Sequence, residues 1–352
     1  MSDPRPKILM AFSHRAYDRV IDDTQIERLA AFAEYEWLEC DGWGIDRAND
    51  DPATIAALSE RIAEVDGLIV CHGAPCIDGA ILDKATRLKI IGELEGDRFA
   101  ARIDLEAAWA RGIRTVDTTN ASSYPVAEWA LGLILISLRN IGAQFRRIIA
   151  GLPPDQNLTP YRGPLTGRRV GLIGCGNMGR RLIQLLRPFD VEIWVHDPYL
   201  SPDMADALGF LQTSLDNVLS QCDVVVCLAP LTPKTRGMIG AREIELIQPG
   251  AAFVNVSRGA IVDSAALIAR LKRNDITAGL EVWDPEPIPE ESEIRHLPNA
   301  FVTPHTAGRR AQGERNPFFG LMVEEFDRFF HGHETKFDLT PASQANRSGV
   351  AP

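Results

Sequence analysis

Short apolar runs that alternate with segments of helical periodicity constrain this chain more than any other feature. Lys7–Phe12, Glu36–Cys40, Gly67–His72, Leu88–Gly92 and Thr115–Asp117 read as strands, and Thr24–Ala33, Asp51–Ala63 and Ile103–Arg111 between them carry apolar residues at helical spacing. Such alternation implies parallel strands joined by crossover helices. It pauses at a long helical pattern, Ser123–Ala143, which Ser122 or Ser123 can cap and whose first turn accepts Pro125. After a Pro- and Gly-rich loop from Gly151 to Gly167 it restarts, with strands at Arg169–Gly174, Glu192–Asp197, Asp223–Leu228, Ala251–Val256, Thr277–Val282 and Ala300–Thr303. Six strands in this order fit a second doubly wound sheet. The Phe-rich pattern Pro317–Phe330 comes too late to join that sheet and is expected to fold back on the first domain. The tail from about Thr340 is rich in Ala, Ser, Pro and Gly and is expected to be disordered.

Length supports the same division, because 352 residues exceed what one core usually holds. The formal net charge of −11 disfavours nucleic acid as a partner, since a duplex-binding surface must displace cations. The most apolar helical segment, Val126–Leu138, contains Glu128 and reads as a buried helix, so no membrane partner is expected. Met1–Pro6 leads straight into the first strand without a signal-peptide pattern, and a cytoplasmic location is the expectation. The six cysteines form no CxxC pair and read as buried reduced thiols, with neither disulfides nor a metal site.

Between the first two strands of the second series lies Gly174-Cys175-Gly176-Asn177-Met178-Gly179. GxGxxG alone is a weak signal, but here the apolar strand Val170–Ile173 precedes it and the helical pattern Met178–Leu186 follows. Gly174 permits the tight turn, Gly176 lets backbone N–H groups reach a pyrophosphate, and Gly179 brings helix and strand together. The helix N-terminus adds a partial positive charge facing the phosphates. The next strand ends at Asp197, 18 residues after Gly179. A carboxylate there can accept hydrogen bonds from both ribose hydroxyls and would repel a 2′-phosphate, so NAD is expected over NADP.

Three ionisable residues follow three later strands: Arg258, Glu286 and His305. In an open parallel sheet such positions share one edge, where ligands bind. Together they suit reduction of a 2-keto acid. A guanidinium binds the carboxylate bidentately, an imidazolium donates a proton to the carbonyl oxygen, and a carboxylate orients the imidazole and favours its charged form. Any one of them alone would more simply be structural.

These stretches resemble the D-isomer-specific 2-hydroxyacid dehydrogenase family: Gly174–Gly179, VHDPY at Val195–Tyr199, LAPLTPKTRGMI at Leu228–Ile239, VNVSRGAIVD at Val254–Asp263, AGLEVWDPEP at Ala278–Pro287 and VTPHTAG at Val302–Gly308. SYPVAEWALGLIL at Ser123–Leu135 is similar to the helix that opens the family's cofactor domain. The resemblance implies two doubly wound α/β domains, a Rossmann NAD-binding domain (119–308) inserted into a flavodoxin-like substrate domain (1–118 with 309–340), followed by a disordered tail (341–352). It implies that Arg258 binds substrate, Glu286 pairs with His305, and His305 is the acid/base. It adds Asn177, Met178, Pro230, Thr235, Ser257 and Glu281 to the cofactor contacts, and Gly73 and Ala74 to the substrate contacts. Glu281 stands where the family usually has Asp, near the nicotinamide amide. The family is usually dimeric through the cofactor domain, which makes Ser123–Ala143 the candidate homodimer helix.

The substrate side departs from the pattern. Gly92–Asp104 replaces a glycine-rich segment that ends Asp-Asn-Ile-Asp in the family, and it is one residue longer and more charged. The loop Cys71-His72-Gly73-Ala74-Pro75 lacks a basic residue for a phosphate, which disfavours phosphoglycerate over acids such as glyoxylate or hydroxypyruvate. Arg98, Arg309 and Arg310 are additions that read first as solvated charge. Formate dehydrogenases place Gln where Glu286 stands, because their chemistry transfers no proton. An NAD(H)-sensing, corepressor-like interaction protein is the alternative reading, and a methyltransferase leaves Arg258, Glu286 and His305 unexplained.

Overall fold

The computed structural model describes residues 5–42, 48–95, 102–309 and 317–343. The chain divides into two units, residues 1–122 with 310–352 and residues 123–309. The first unit runs β1 (Lys7–Phe12), α1 (His14–Val20), α2 (Asp23–Phe32), β2 (Glu34–Glu39), α3 (Pro52–Arg61), β3 (Gly67–Val70), α4 (Gly79–Leu82), β4 (Ile90–Glu93), α5 (Leu105–Ala110) and β5 (Arg114–Asp117). Its strands pair in parallel in the order β2-β1-β3-β4-β5, which places the topological switch between β1 and β3. The helices start where a short polar side chain stops the strand-to-helix loop. Ser13, Asp22, Asp51, Asp78 and Asp104 each accept an N–H from the first turn.

The second unit opens with α6 (Ser123–Leu138) and α7 (Ile141–Ile149), followed by β6 (Arg169–Ile173), α8 (Asn177–Leu186), β7 (Glu192–His196), α9 (Pro202–Leu208) and β8 (Leu211–Gln212). It continues with α10 (Leu215–Gln221), β9 (Val224–Cys227), α11 (Ala241–Leu246), β10 (Ala252–Asn255), α12 (Ser264–Lys272), β11 (Thr277–Leu280) and β12 (Ala300–Val302). The parallel sheet has the order β12-β11-β10-β9-β6-β7-β8, with its switch between β6 and β9. Covered on both faces, the central strands are continuous apolar runs, such as the fully buried Val224–Cys227. The last helix, α13 (Pro317–Phe330), belongs to the first unit, where Phe318, Phe319, Met322, Val323 and Phe326 join Ile8, Met10, Ile69 and Ile90 in one core.

Four details differ from the sequence reading. The helix expected over Ser123–Ala143 stops at Leu138, because Asn140 takes a left-handed conformation (φ 47°) and its N–H bonds the Ser137 carbonyl. Asn tolerates that conformation, and apolar spacing continues across the break into α7, so periodicity alone did not reveal it. The sheet has a seventh strand, β8, only two residues long and too short to carry a period. The units meet at 122/123 and 309/310, with a short helical turn at Thr119–Ser122 before the first boundary. In the tail, Thr340 and Ser343 exchange side-chain and backbone hydrogen bonds, while 344–352 lie outside the described residues.

All six cysteines are free thiols, and Cys76 alone is exposed. Burial pushes the Cys40, Cys222 and Cys227 thiols up to about 12, so they are protonated and inert near neutral pH. The apolar helix at Thr119–Leu138 has the length and composition of a membrane span. Within the second unit, however, it buries Ala127, Ala130, Leu133 and Ile134 in the core shared with β6, α8 and β10.

Candidate active site

The loop after β6 is built for close approach. Gly174 has φ 91°, and a Cβ there would lie 2.8 Å from the Ala229 nitrogen in the loop after β9. A Cβ on Gly179 would lie 3.0 Å from the Gly174 carbonyl oxygen. Gly176 caps α8 without a side chain, so the first amides of a ten-residue helix face outward uncapped. Asp197, just past β7, accepts the Cys175 N–H at 2.9 Å on one oxygen and the Tyr199 N–H at 3.0 Å on the other. This anchors the carboxylate against the glycine loop and leaves it lone pairs for ribose hydroxyls. An open loop, an uncapped helix start and an adjacent carboxylate fit a dinucleotide. Asn177 and Met178 form the first turn of α8.

Pro230 and Thr235 lie after β9. The Thr235 hydroxyl bonds the Pro230 carbonyl at 2.6 Å and accepts the Thr232 N–H at 2.8 Å, which folds the loop on itself. Ser257 is buried, and its hydroxyl donates to the Ala229 carbonyl. It therefore ties the loop after β10 to the loop after β9.

The three ionisable residues follow β10, β11 and β12. His305 Nδ1 and Glu286 Oε2 are 2.7 Å apart, with both side chains a little over one-third exposed (35% and 37%). The other Glu286 oxygen accepts the Trp283 N–H at 2.9 Å. Burial raises the Glu286 pKa, but the His305 hydrogen bond, the Trp283 N–H and the charges of His305 and Arg258 outweigh it, and the net shift is downward. With Nδ1 held by a carboxylate, Nε2 is the ring nitrogen left for substrate. His305 itself is in a left-handed conformation (φ 54°), unusual for a side chain of this size.

Arg258 donates to the Ser257 carbonyl at 2.9 Å and makes no ion pair among the described residues, so most of its guanidinium fork stays available. Asn255, fully buried, braces this turn. Its amide donates to the Arg258 carbonyl at 3.2 Å, and its carbonyl accepts the Ser257 N–H at 3.0 Å. Next to Arg258, a Cβ on Gly259 would sit 1.9 Å from the Trp283 carbonyl carbon and 2.5 Å from the Asp284 nitrogen. The turn carrying Arg258 thus lies directly on the turn that leads to Glu286.

Glu281 is 1% exposed, and its carboxylate is occupied by protein donors. Trp129 Nε1–H donates at 2.8 Å, and the Thr303 hydroxyl and Ala307 N–H donate as well.

In the first unit, the loops after β3 and β4 carry the expected substrate contacts. Ala74 is fully buried, its N–H bonds Cys71 O at 3.0 Å and its carbonyl accepts the Asn49 N–H at 2.9 Å, so its polar groups serve the fold. Gly73, at φ 93°, packs against Ser13, and its carbonyl accepts the Asn49 amide at 3.0 Å. Its own N–H has no partner among the described residues. Beside it, Arg102 and Glu93 form an ion pair of 2.6 Å with both side chains 0% exposed. Arg102 also meets His72 Nδ1 at 3.1 Å and the Glu95 carbonyl at 3.3 Å. Glu95 in turn holds His72 Nε2 at 3.3 Å and Arg19 at 2.6 Å. A guanidinium only donates, so His72 Nδ1 carries the lone pair and Nε2 the proton. Burial raises the Glu95 pKa, but His72 and Arg19 outweigh it and lower it. Arg98 and Arg310 lie outside the described residues; Arg309 is exposed, with no ion pair among them.

Residues 131–307, half of the chain, match the family model for the D-isomer specific 2-hydroxyacid dehydrogenase NAD binding domain. The chain belongs to this family. At the family level it is an NAD-dependent oxidoreductase of 2-hydroxy acids, and the second unit is its NAD-binding domain. It is 32% identical over 302 residues to the mitochondrial formate dehydrogenase 2 of Oryza sativa, covering 85% of this chain and 79% of that one. It is 32% identical over 271 residues to a D-3-phosphoglycerate dehydrogenase of Methanocaldococcus jannaschii, covering 76% of this chain and 50% of that one. Among solved structures, an NADPH-dependent glyoxylate/hydroxypyruvate reductase of Sinorhizobium meliloti, in complex with NADP and malonate, aligns at a TM-score of 0.70. It has 26% identity and covers 96% of this chain and 97% of that one.

Within this family's frame, sequence reasoning missed Asn255, Trp129 and the Arg102–Glu93 pair. Asn255 ends β10 three residues before Arg258, so its bracing role had a local signal. Trp129 and Arg102 act on residues far away in sequence, and nothing local announced either.

Proposed function

We propose that this dehydrogenase reduces a small 2-keto acid with NADH, with His305 as proton donor, Glu286 as its orienting base and Arg258 as the clamp for the substrate carboxylate. The observation that carries this reading is the 2.7 Å contact between His305 Nδ1 and Glu286 Oε2. It fixes the imidazole and leaves Nε2 to give its proton to the substrate oxygen. When bound, NADH supplies the hydride that reaches C2. The proton from His305 completes the alcohol, so one hydride and one proton account for the product. Arg258 offers a planar pair of donors to the carboxylate.

Asp197 supports NADH over NADPH, because a carboxylate beside the glycine loop would repel a 2′-phosphate. The exposed apolar side chains Ile141, Phe145, Ile148 and Ile149 on α7, followed by Leu152, support a homodimer formed through the second unit. The face they offer begins at Ile141, inside the Ser123–Ala143 segment that the sequence pointed to, and continues past its end.

A panel of glyoxylate, hydroxypyruvate, pyruvate and longer 2-keto acids with NADH, followed by loss of NADH absorbance, tests the reading. Reduction of at least one of them is expected, with phosphorylated acids disfavoured because the Cys71–Pro75 loop offers no free base. Oxidation of formate with NAD and no reduction of any keto acid would overturn it.

A further inference from the structure

Three residues spaced along the segment after β12 supply four donors that all end on Leu280 and Glu281, at the end of β11. The Thr303 N–H bonds the Leu280 carbonyl at 2.8 Å, and the His305 N–H bonds the Glu281 carbonyl at 3.1 Å. The Thr303 hydroxyl and the Ala307 N–H reach the Glu281 carboxylate, one to each oxygen. Trp129, on α6, closes the set by donating its indole N–H to the oxygen that Thr303 also uses, at 2.8 Å. The helix comes this close because β11 carries a glycine. A Cβ on Gly279 would lie 2.7 Å from Ser137 Oγ and 3.1 Å from Leu133 Cβ, both on α6.

We infer that Glu281, held by Trp129, is a positioning residue that fixes the His305 loop, and that its carboxylate is not a ligand of the nicotinamide amide. The carboxylate bonds residues 303 and 307 on either side of His305, while the Glu281 backbone bonds His305 itself. His305 stands in a backbone region that costs a non-glycine residue free energy, so the surrounding bonds must impose it. Glu in place of the family's usual Asp is what makes the arrangement possible. An aspartate is shorter by one methylene, about 1.5 Å, and could not meet donors from a helix and from both ends of the loop together. The inference rests on the reading of His305 as the proton donor.

The variants Trp129→Phe, Glu281→Gln, Glu281→Asp, Thr303→Val and Thr303→Ser in the full chain test it. Three readouts apply: the hydrogen-bonded His305 Nδ1–H resonance in the cofactor-free protein by NMR, the Kd for NADH by fluorescence, and kcat with the best keto acid. Trp129→Phe, Glu281→Gln and Thr303→Val should weaken or broaden the resonance and lower kcat about ten- to hundred-fold, while NADH binds within about twofold of wild type. Thr303→Ser, which keeps the hydroxyl donor, should behave as wild type. Glu281→Asp should lose the resonance despite restoring the family residue. If Glu281→Gln fails to fold, Trp129→Phe and Thr303→Val carry the same test. A tenfold weaker NADH Kd in Trp129→Phe or Glu281→Gln, with the resonance and the kcat at saturating NADH unchanged, would overturn the inference. The resonance needs no turnover. Its expected loss in variants of a wild type that reduces no keto acid would therefore sink the functional reading and still support the positioning role.

Discussion

The two units treat charge at their strand ends in opposite ways. In the second unit, His305 and Glu286 are each about one-third exposed, and Arg258 makes no ion pair among the described residues. In the first, Arg102 and Glu93 are 0% exposed and paired at 2.6 Å, with His72, Glu95 and Arg19 linked to them. Charge left partly in water at the mouth of a sheet remains free to meet a ligand. Charge sealed inside must be satisfied by the fold, and removing one member leaves the other unpaired in a poorly solvating medium. The same residue types thus stand partly open to solvent in one unit and are satisfied by the fold in the other.

Single substitutions in each unit test this contrast. His305→Gln should lower kcat/KM for keto-acid reduction by about 10²- to 10⁴-fold while leaving the denaturation midpoint unchanged. A stability loss matching the activity loss would erase the distinction. Arg102→Met should do the reverse, costing about 3–5 kcal/mol in urea denaturation because the buried Glu93 loses its paired charge. The double variant Arg102→Met/Glu93→Gln should recover much of that loss, since neither partner is then charged. No recovery would mean that Arg102 acts through packing instead of charge.

Gly259→Ala tests whether the turns of Arg258 and Glu286 need their close contact. Its methyl would meet the Trp283–Asp284 peptide, and a loss of about 1–3 kcal/mol in thermal denaturation is expected, together with lower kcat/KM. Asp197→Ser should narrow the preference for NADH over NADPH by about tenfold in the ratio of Kd values. An unchanged ratio would assign the discrimination to another residue.

The smallest effect concerns pH. The Glu286 pKa lies below its ordinary 4.5, because the contacts with His305, Trp283 and Arg258 outweigh burial. A carboxyl depressed in the fold contributes its stabilisation above its unfolded pKa and loses it as pH falls through the folded value. The pair should therefore persist as pH falls from 7 through 4.5, and the acid limb of kcat/KM should lie below that point. A limb near pH 6 in wild type that vanishes in Glu286→Gln would contradict it.

Much of this was legible in the sequence because the signals were local. The alternation of strand and helix placed both sheets, and Gly174–Gly179 announced its turn because φ 91° at Gly174 admits almost no other residue. Arg258, Glu286 and His305 each lie in the segment after a strand's C-terminal end, so parallel topology put them on one edge. The break at Asn140 was hidden because apolar spacing runs across it, and β8 because two residues carry no period. What only the tertiary structure decided are partnerships across long sequence separations. Glu281 receives Trp129 from 152 positions away, and Arg102 meets His72 from 30. Periodicity and motif report backbone geometry within one element. Which donor fills a buried acceptor depends on how elements pack, and packing brings the Glu281 carboxylate donors from α6 and from the residues on either side of His305.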